Sequence, residues 1–120
     1  DSIVGMEFLI GKFMMAQQLP DSEPIKPLAV QFHKDWEAMY KKPIDPVGFL
    51  GQMELMIAVD ALKRAKTTDG PKLREAIENT KDLITGYSVI TMSPDNHVGL
   101  ANVSVIAKYL GNDKWEAVKY

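Results

Sequence analysis

The sequence predicts a mixed α/β fold in the order strand, three helices, three strands, and three observations carry that reading. Apolar residues recur at helical spacing from about residue 27 to residue 81. The period drops to two after Gly86, and proline, glycine and aspartate fall where helix starts and turns require them.

Residues 12–19, KFMMAQQL, read as a short strand stopped by Pro20, and the DSEPIKP that follows is a linker-like stretch rich in proline and charge. Pro27 suits the first turn of a helix, where its missing N–H is no loss. Phe32, Trp36, Met39 and Tyr40 then recur on one helical face, with His33, Lys34, Asp35 and Glu37 between them, up to an end near Lys42 and Pro43. Asp45 and Pro46, an N-cap acid and an N1 proline, announce a second helix running to about Lys66. Its apolar residues, from Phe49, Leu50 and Met53 through Leu55, Ile57, Val59, Ala61 and Leu62, cover more than one face, the mark of a buried helix. Lys63, Arg64 and Lys66 gather at its C-terminal end, where the helix dipole favours them.

Asp69-Gly70-Pro71 repeats the start signal, and Leu73, Ala76 and Ile77 give the third helix, 71–81, a single narrow apolar stripe. Beyond Gly86, residues 87–91 form one strand, and Val103, Val105, Ala107 and Tyr109 alternate along a second. Gly111-Asn112-Asp113 turns the chain into a third, 115–120. The first strand has no parallel partner within reach of an ordinary crossover connection.

With 120 residues, 46% of them hydrophobic, the chain can bury one modest core. Fourteen basic and sixteen acidic residues give a net charge of -2 with no long run of either sign, which argues against a nucleic-acid partner or a polybasic membrane surface. The absence of cysteine excludes a disulfide scaffold, a cysteine zinc site and thiol catalysis. The apolar opening IVGMEFLIGKFMM is interrupted by Gly5, Glu7, Gly11 and Lys12 and is too short to span a bilayer. A chain that opens on Asp1 points to a processed product or an excised piece.

Four features invite a chemical reading. SPDNHVG places Asp95, Asn96 and His97 side by side, but proline, Asx residues and a closing glycine each have a turn explanation, and His33, the other histidine, lies far back on a helix. The segment reads as a turn, with no metal and no catalytic role. Glu54 and Asp60 are six residues apart, which at roughly 100° per residue turns them away from a common face. The seven methionines lack the close repeats of a metal-binding box and read as core fillers. In Val47-Gly48-Phe49-Leu50-Gly51-Gln52, two glycines flank an aromatic, so a ligand could approach the backbone N–H groups closely. Phe49 either lines such a site or anchors the core.

Taken together, PIKPLAVQFHKDWEAMYKKPIDP, GFLGQMELMIAVDALKRAKTTDGPKLREAIENTK and TGYSVITMSPDNHVGLANVSVIAKYLGNDKWEAV resemble the last third of the branched-chain amino-acid binding proteins. These are the solute receptors of ABC importers, with the type I periplasmic binding fold. ALKRA…D…LREAIE and SPDNHVGL…V…GNDKWEAV carry most of the resemblance, which covers nearly all of the chain. It implies two lobes joined by crossover strands, with a small ligand in the cleft between them. Residues 12–20 would lead to a crossover, 21–85 would form the helical part of the N-terminal lobe, and 86–120 would return to the C-terminal lobe. The single 1–120 unit would then be a fragment whose unpartnered strand and many-faced helix find their partners elsewhere.

In related receptors an aromatic at the start of the helix after the proline-rich connection touches the ligand side chain. Phe49 holds the corresponding place, and with Gln52 it forms the implied ligand-binding pair. The Tyr-Asp-Ala or Tyr-Ala-Ala common further along that helix is Glu54-Leu55-Met56 here, so amides, urea and aromatic acids stay open beside branched-chain amino acids. The resemblance implies a periplasmic or extracellular, non-catalytic, cofactor-free receptor whose partners are a small-molecule ligand and a membrane permease. A fragment of it would self-associate through its bared apolar faces. The alternatives are a cytoplasmic ligand sensor of the same fold and a self-contained small α/β enzyme or interaction domain.

Overall fold

A computed structural model describes residues 2–118. Its elements are β1 (Glu7–Gly11), a 3-10 helix (Lys12–Gln18), α1 (Lys26–Tyr40), α2 (Pro46–Ala65), α3 (Gly70–Glu78), β2 (Leu83–Ile84), β3 (Val89–Ile90), β4 (Ser104–Gly111) and β5 (Lys114–Ala117). All strand pairings are antiparallel, in one sheet of order β1-β4-β5 and a small β2-β3 hairpin.

The helices start and stop where local chemistry directs. Asp45 caps α2 by accepting from Gly48 N–H at 2.9 Å, and Asp69 caps α3 by accepting from Lys72 N–H at 3.3 Å. Lys41 and Lys66 end α1 and α2 in the left-handed conformation, each sending its N–H back to a carbonyl of the last turn. Arg64 then ties α2 to the end of α3, bonding Asp60, the Ala76 carbonyl at 2.6 Å and the Thr80 hydroxyl at 2.9 Å.

Three expectations are corrected. The first strand lies at Glu7–Gly11, and the segment expected to be extended, 12–19, is instead a 3-10 helix through Gln18. Gly11 makes room for this turn, since a Cβ there would run into the ring of Phe13 folded back over it. Nor is that first strand unpartnered, since β1 pairs with β4 from Glu7↔Lys108 to Gly11↔Ser104. Finally, the strand after Gly86 does not leave the helices. Ile90 and Met92 share a core with Met53 and Ile57 of α2, so β2-β3 packs on the helical side and the chain crosses back only near Asn102 and Val103. The last expected strand ends in Lys119 and Tyr120, which lie outside the described residues.

Two units result. In the helical unit, Phe49, Met53, Ile57 and Ala61 form one buried stripe of α2 at four-residue spacing, while Leu55, Val59 and Leu62 on another face remain exposed. The sheet unit is built from the two ends of the chain. The Cα radius of gyration is 16.5 Å, with extents of 53 × 33 × 26 Å, against about 14 Å for a compact domain of this length. Both buried clusters, one around Phe49 and one around Ile57 and Ile90, lie on the helical side and meet at Tyr87.

Candidate functional site

Two connections join the units, and they run side by side. Lys12 N–H donates to the Val103 carbonyl at 2.9 Å, so the outgoing and returning strands bond to each other where they cross. On one side of this pair lies a groove of about 470 Å³, lined by Phe13, Pro46, Tyr87, Val103, Ser104 and Trp115 among others. None of its lining residues is charged. A second cleft of about 400 Å³ carries charged and polar side chains at its wall, among them Lys12, Glu23, Asp82, Ser88 and Asn102.

Tyr87 is one of the groove's lining residues that carry a polar group. Its ring stacks on Phe13 with centroids 4.6 Å apart and planes inclined at 27°. A tight turn delivers it there. The Thr85 hydroxyl accepts from both Tyr87 N–H and Ser88 N–H and donates to the Ser88 carbonyl at 2.7 Å. Gly86 N–H donates to Gln52 Oε1 at 3.1 Å, and a Cβ at Gly86 would sit 2.6 Å from that oxygen, so a larger residue there would displace the Gln52 amide. Sequence reasoning assigned Tyr87 to a strand and missed it. A glycine before an aromatic, flanked by Thr85 and Ser88, was the available signal.

The residues singled out from the sequence separate clearly. Phe49 is 0% exposed, enclosed by Phe13 at 4.6 Å, His33 at 5.0 Å and Phe32 at 5.2 Å between ring centroids. Of the two roles weighed for it, the structure places it in the core. Gln52 spends its carbonyl oxygen on the Gly86 turn, which makes it a support of Tyr87. Glu54 is exposed and Asp60 pairs with Arg64, so the two acids are not brought together.

SPDNHVG is a turn, as expected. Ser93 and Asn96 exchange backbone hydrogen bonds, the Asn96 side chain accepts from Val98 and Gly99 N–H, and Gly99 takes a φ of +62°. His33 bonds the Phe13 carbonyl at 3.0 Å, whereas His97 meets Glu78 at 3.1 Å on the surface. Among the described residues no cluster of three His, Cys, Asp or Glu could hold a metal ion.

The Arg74 hydrogen bond, with a smaller contribution from His97, holds the Glu78 carboxyl below its ordinary value against the opposing effect of partial burial. A depressed carboxylate stabilises the fold above its unfolded pKa and loses that contribution as pH falls through the lowered one. Arg74→Ala is expected to move the Glu78 titration back up towards the ordinary carboxylate range, measured by carboxyl carbon NMR. An unmoved midpoint would exclude Arg74 as the cause.

A helical part and an antiparallel sheet are thus joined by two paired connections, with an uncharged groove beside them. Solved structures share this fold. An extracellular ligand-binding receptor from Rhodopseudomonas palustris HaA2 superposes on 98% of the chain with a TM-score of 0.81 and 20% identity, and the chain covers 35% of it. The leucine-binding protein LivK from Thermotoga maritima matches 99% of the chain at TM-score 0.70 and 19% identity, with 31% of it covered. A type 1 periplasmic binding protein from Bordetella pertussis matches 98% at TM-score 0.69 and 21% identity, with 34% covered.

The chain has the fold of a piece of a type I periplasmic binding protein, and it spans about a third of the length of the solved structures it matches. No family model matches the sequence, and no curated protein matches it. Among the described residues no helix is long and apolar enough to cross a membrane.

Proposed function

We propose that the chain is the C-terminal third of a non-catalytic, periplasmic or extracellular solute receptor, which captures a branched-chain amino acid or a related small molecule and hands it to the permease of an ABC importer. The observation that carries this reading is the uncharged, aromatic-walled groove beside two mutually bonded connections, the position at which a hinged cleft closes over its ligand. No acid, base or nucleophile lines the groove in an arrangement suited to catalysis, and the solved structures that share the fold include a ligand-binding receptor and a leucine-binding protein. In the proposed assignment, residues 12–20 carry one crossover and the helices with β2-β3 belong to the N-terminal lobe. β1, β4 and β5 belong to the C-terminal lobe, with the return near residue 102 instead of 86.

Calorimetric titration with leucine, isoleucine and valine tests the reading. The full-length receptor is expected to bind at least one of them at micromolar affinity or better, about 8 kcal/mol, and the 120-residue chain alone is not, because it supplies only part of the cleft. Left alone, the chain should also associate through Leu55, Val59 and Leu62, which would show as a light-scattering mass above one chain. Tight one-to-one binding by the isolated chain would overturn the proposal, as would a full-length protein that binds no amino acid or related small solute.

A further inference from the structure

The side-chain amide of Gln18, the last residue of the 3-10 helix, reaches the outer edge of β5. Its Nε2 donates to the Trp115 carbonyl at 2.9 Å, and its Oε1 accepts from Ala117 N–H at 2.8 Å. Both of these backbone groups face away from β4. It is the next residue, Val118, whose N–H donates to the Ile106 carbonyl of β4, and alternate residues of a strand bond to opposite sides. One amide that bonds the carbonyl before Glu116 and the N–H after it reproduces the hydrogen-bond pattern of a residue in a parallel neighbouring strand. The sheet edge is thus closed by a side chain sent from the interlobe connection.

The same short helix is held from its other side far more firmly. Phe13, Met15 and Ala16 are all buried, with Phe13 packed against Phe49 and Tyr87 and its carbonyl bonded by His33. Gln18 itself is exposed. Two exposed, neutral hydrogen bonds contribute little net stability, whereas withdrawing a buried aromatic ring and its neighbours from a core is costly. If the sheet unit and the helical unit shift against each other, the 3-10 helix stays with the helices and the Gln18 contacts part first.

We propose that Gln18 is a releasable latch, an amide clamp between the connection and the outer edge of β5 that is closed in this arrangement of the two units and open in others. The use of such a motion rests on the receptor reading; the clamp itself does not.

The test measures inter-unit distance in the full-length protein. These 120 residues hold no cysteine, so, with any cysteine elsewhere in the protein replaced by serine, Lys63→Cys on α2 and Lys108→Cys on β4 can carry a pair of spin labels, both at exposed positions. Gln18→Ala is expected to broaden or displace the distance distribution and to speed hydrogen exchange at the Ala117 amide by about 10-fold or more. Gln18→Glu keeps an acceptor for Ala117 N–H but at neutral pH has no donor for the Trp115 carbonyl, so it should displace the distribution and recover the original one below about pH 4, where a protonated carboxyl can again donate. Faster exchange at Ala117 with an unchanged distribution would mean that Gln18 only caps a strand edge, and would overturn the proposal. Unchanged exchange would overturn it too, because no clamp would then exist. A wild-type protein that bound no solute would remove the receptor reading and leave the distance comparison intact.

Discussion

Phe49→Ala is expected to lower the stability of the fold by about 3 to 5 kcal/mol, the range for removing a buried aromatic from a packed core. The ring contacts Phe13, Phe32 and His33, which come from the 3-10 helix and α1, so its loss opens a cavity where three segments meet. Marginal domains hold only about 5 to 15 kcal/mol in total, so the variant should show a much lower denaturation midpoint. Unfolding must be followed without ligand, so that binding does not mask the change. Ligand affinity measured on the folded fraction is expected to stay the same. Retained stability with weakened binding would put the ring in the cleft and contradict its burial.

Lys12→Met is expected to cost about 3 kcal/mol, near the lower end for breaking a buried ion pair by removing one partner. Lys12 Nζ lies 2.8 Å from Glu23 Oε2, and the two side chains are only 8% and 17% exposed. The single change leaves the part-buried Glu23 carboxylate without its counter-charge, whereas Lys12→Met combined with Glu23→Met removes both charges and should recover most of the loss. Equilibrium denaturation of the two variants decides it. A double variant as unstable as the single one would show that the pair is not the source of the effect.

Much of the helical half was legible because its signals are local. Asp45 with Pro46, and Asp69 with Gly70 and Pro71, specify helix starts through atoms three residues away, and no distant partner is needed to read them. The sheet was less legible because β1 and β4 specify each other across most of the chain, and a short apolar run such as KFMMAQQL does not distinguish a strand from a tight helix by its period. The same limit applies to the site. Gly48 before Phe49 looked like an opening for a ligand, but a Cβ there would sit 3.0 to 3.1 Å from Ile44 and Trp36, so the glycine serves the packing of α1 against α2. Tyr87 becomes prominent only once the chain has folded back to set it on Phe13, a contact between residues far apart in sequence.

The sheet of β1, β4 and β5 also governs the order in which the protein assembles. Its first strand ends at Gly11 and its partner begins at Ser104, so the pairing closes a loop of about ninety residues before any ladder bond rewards it. The helical unit sits inside that loop and holds itself together through contacts of much shorter span, such as the α2–α3 packing secured by Arg64. The helices are therefore expected to form first, and β1, the first strand of the chain, to be among the last to find its place. Until it does, Phe8 and Ile10 remain exposed on an unpaired strand, and the helical unit, by drawing Lys12 to Val103, shortens the search that half-buries them.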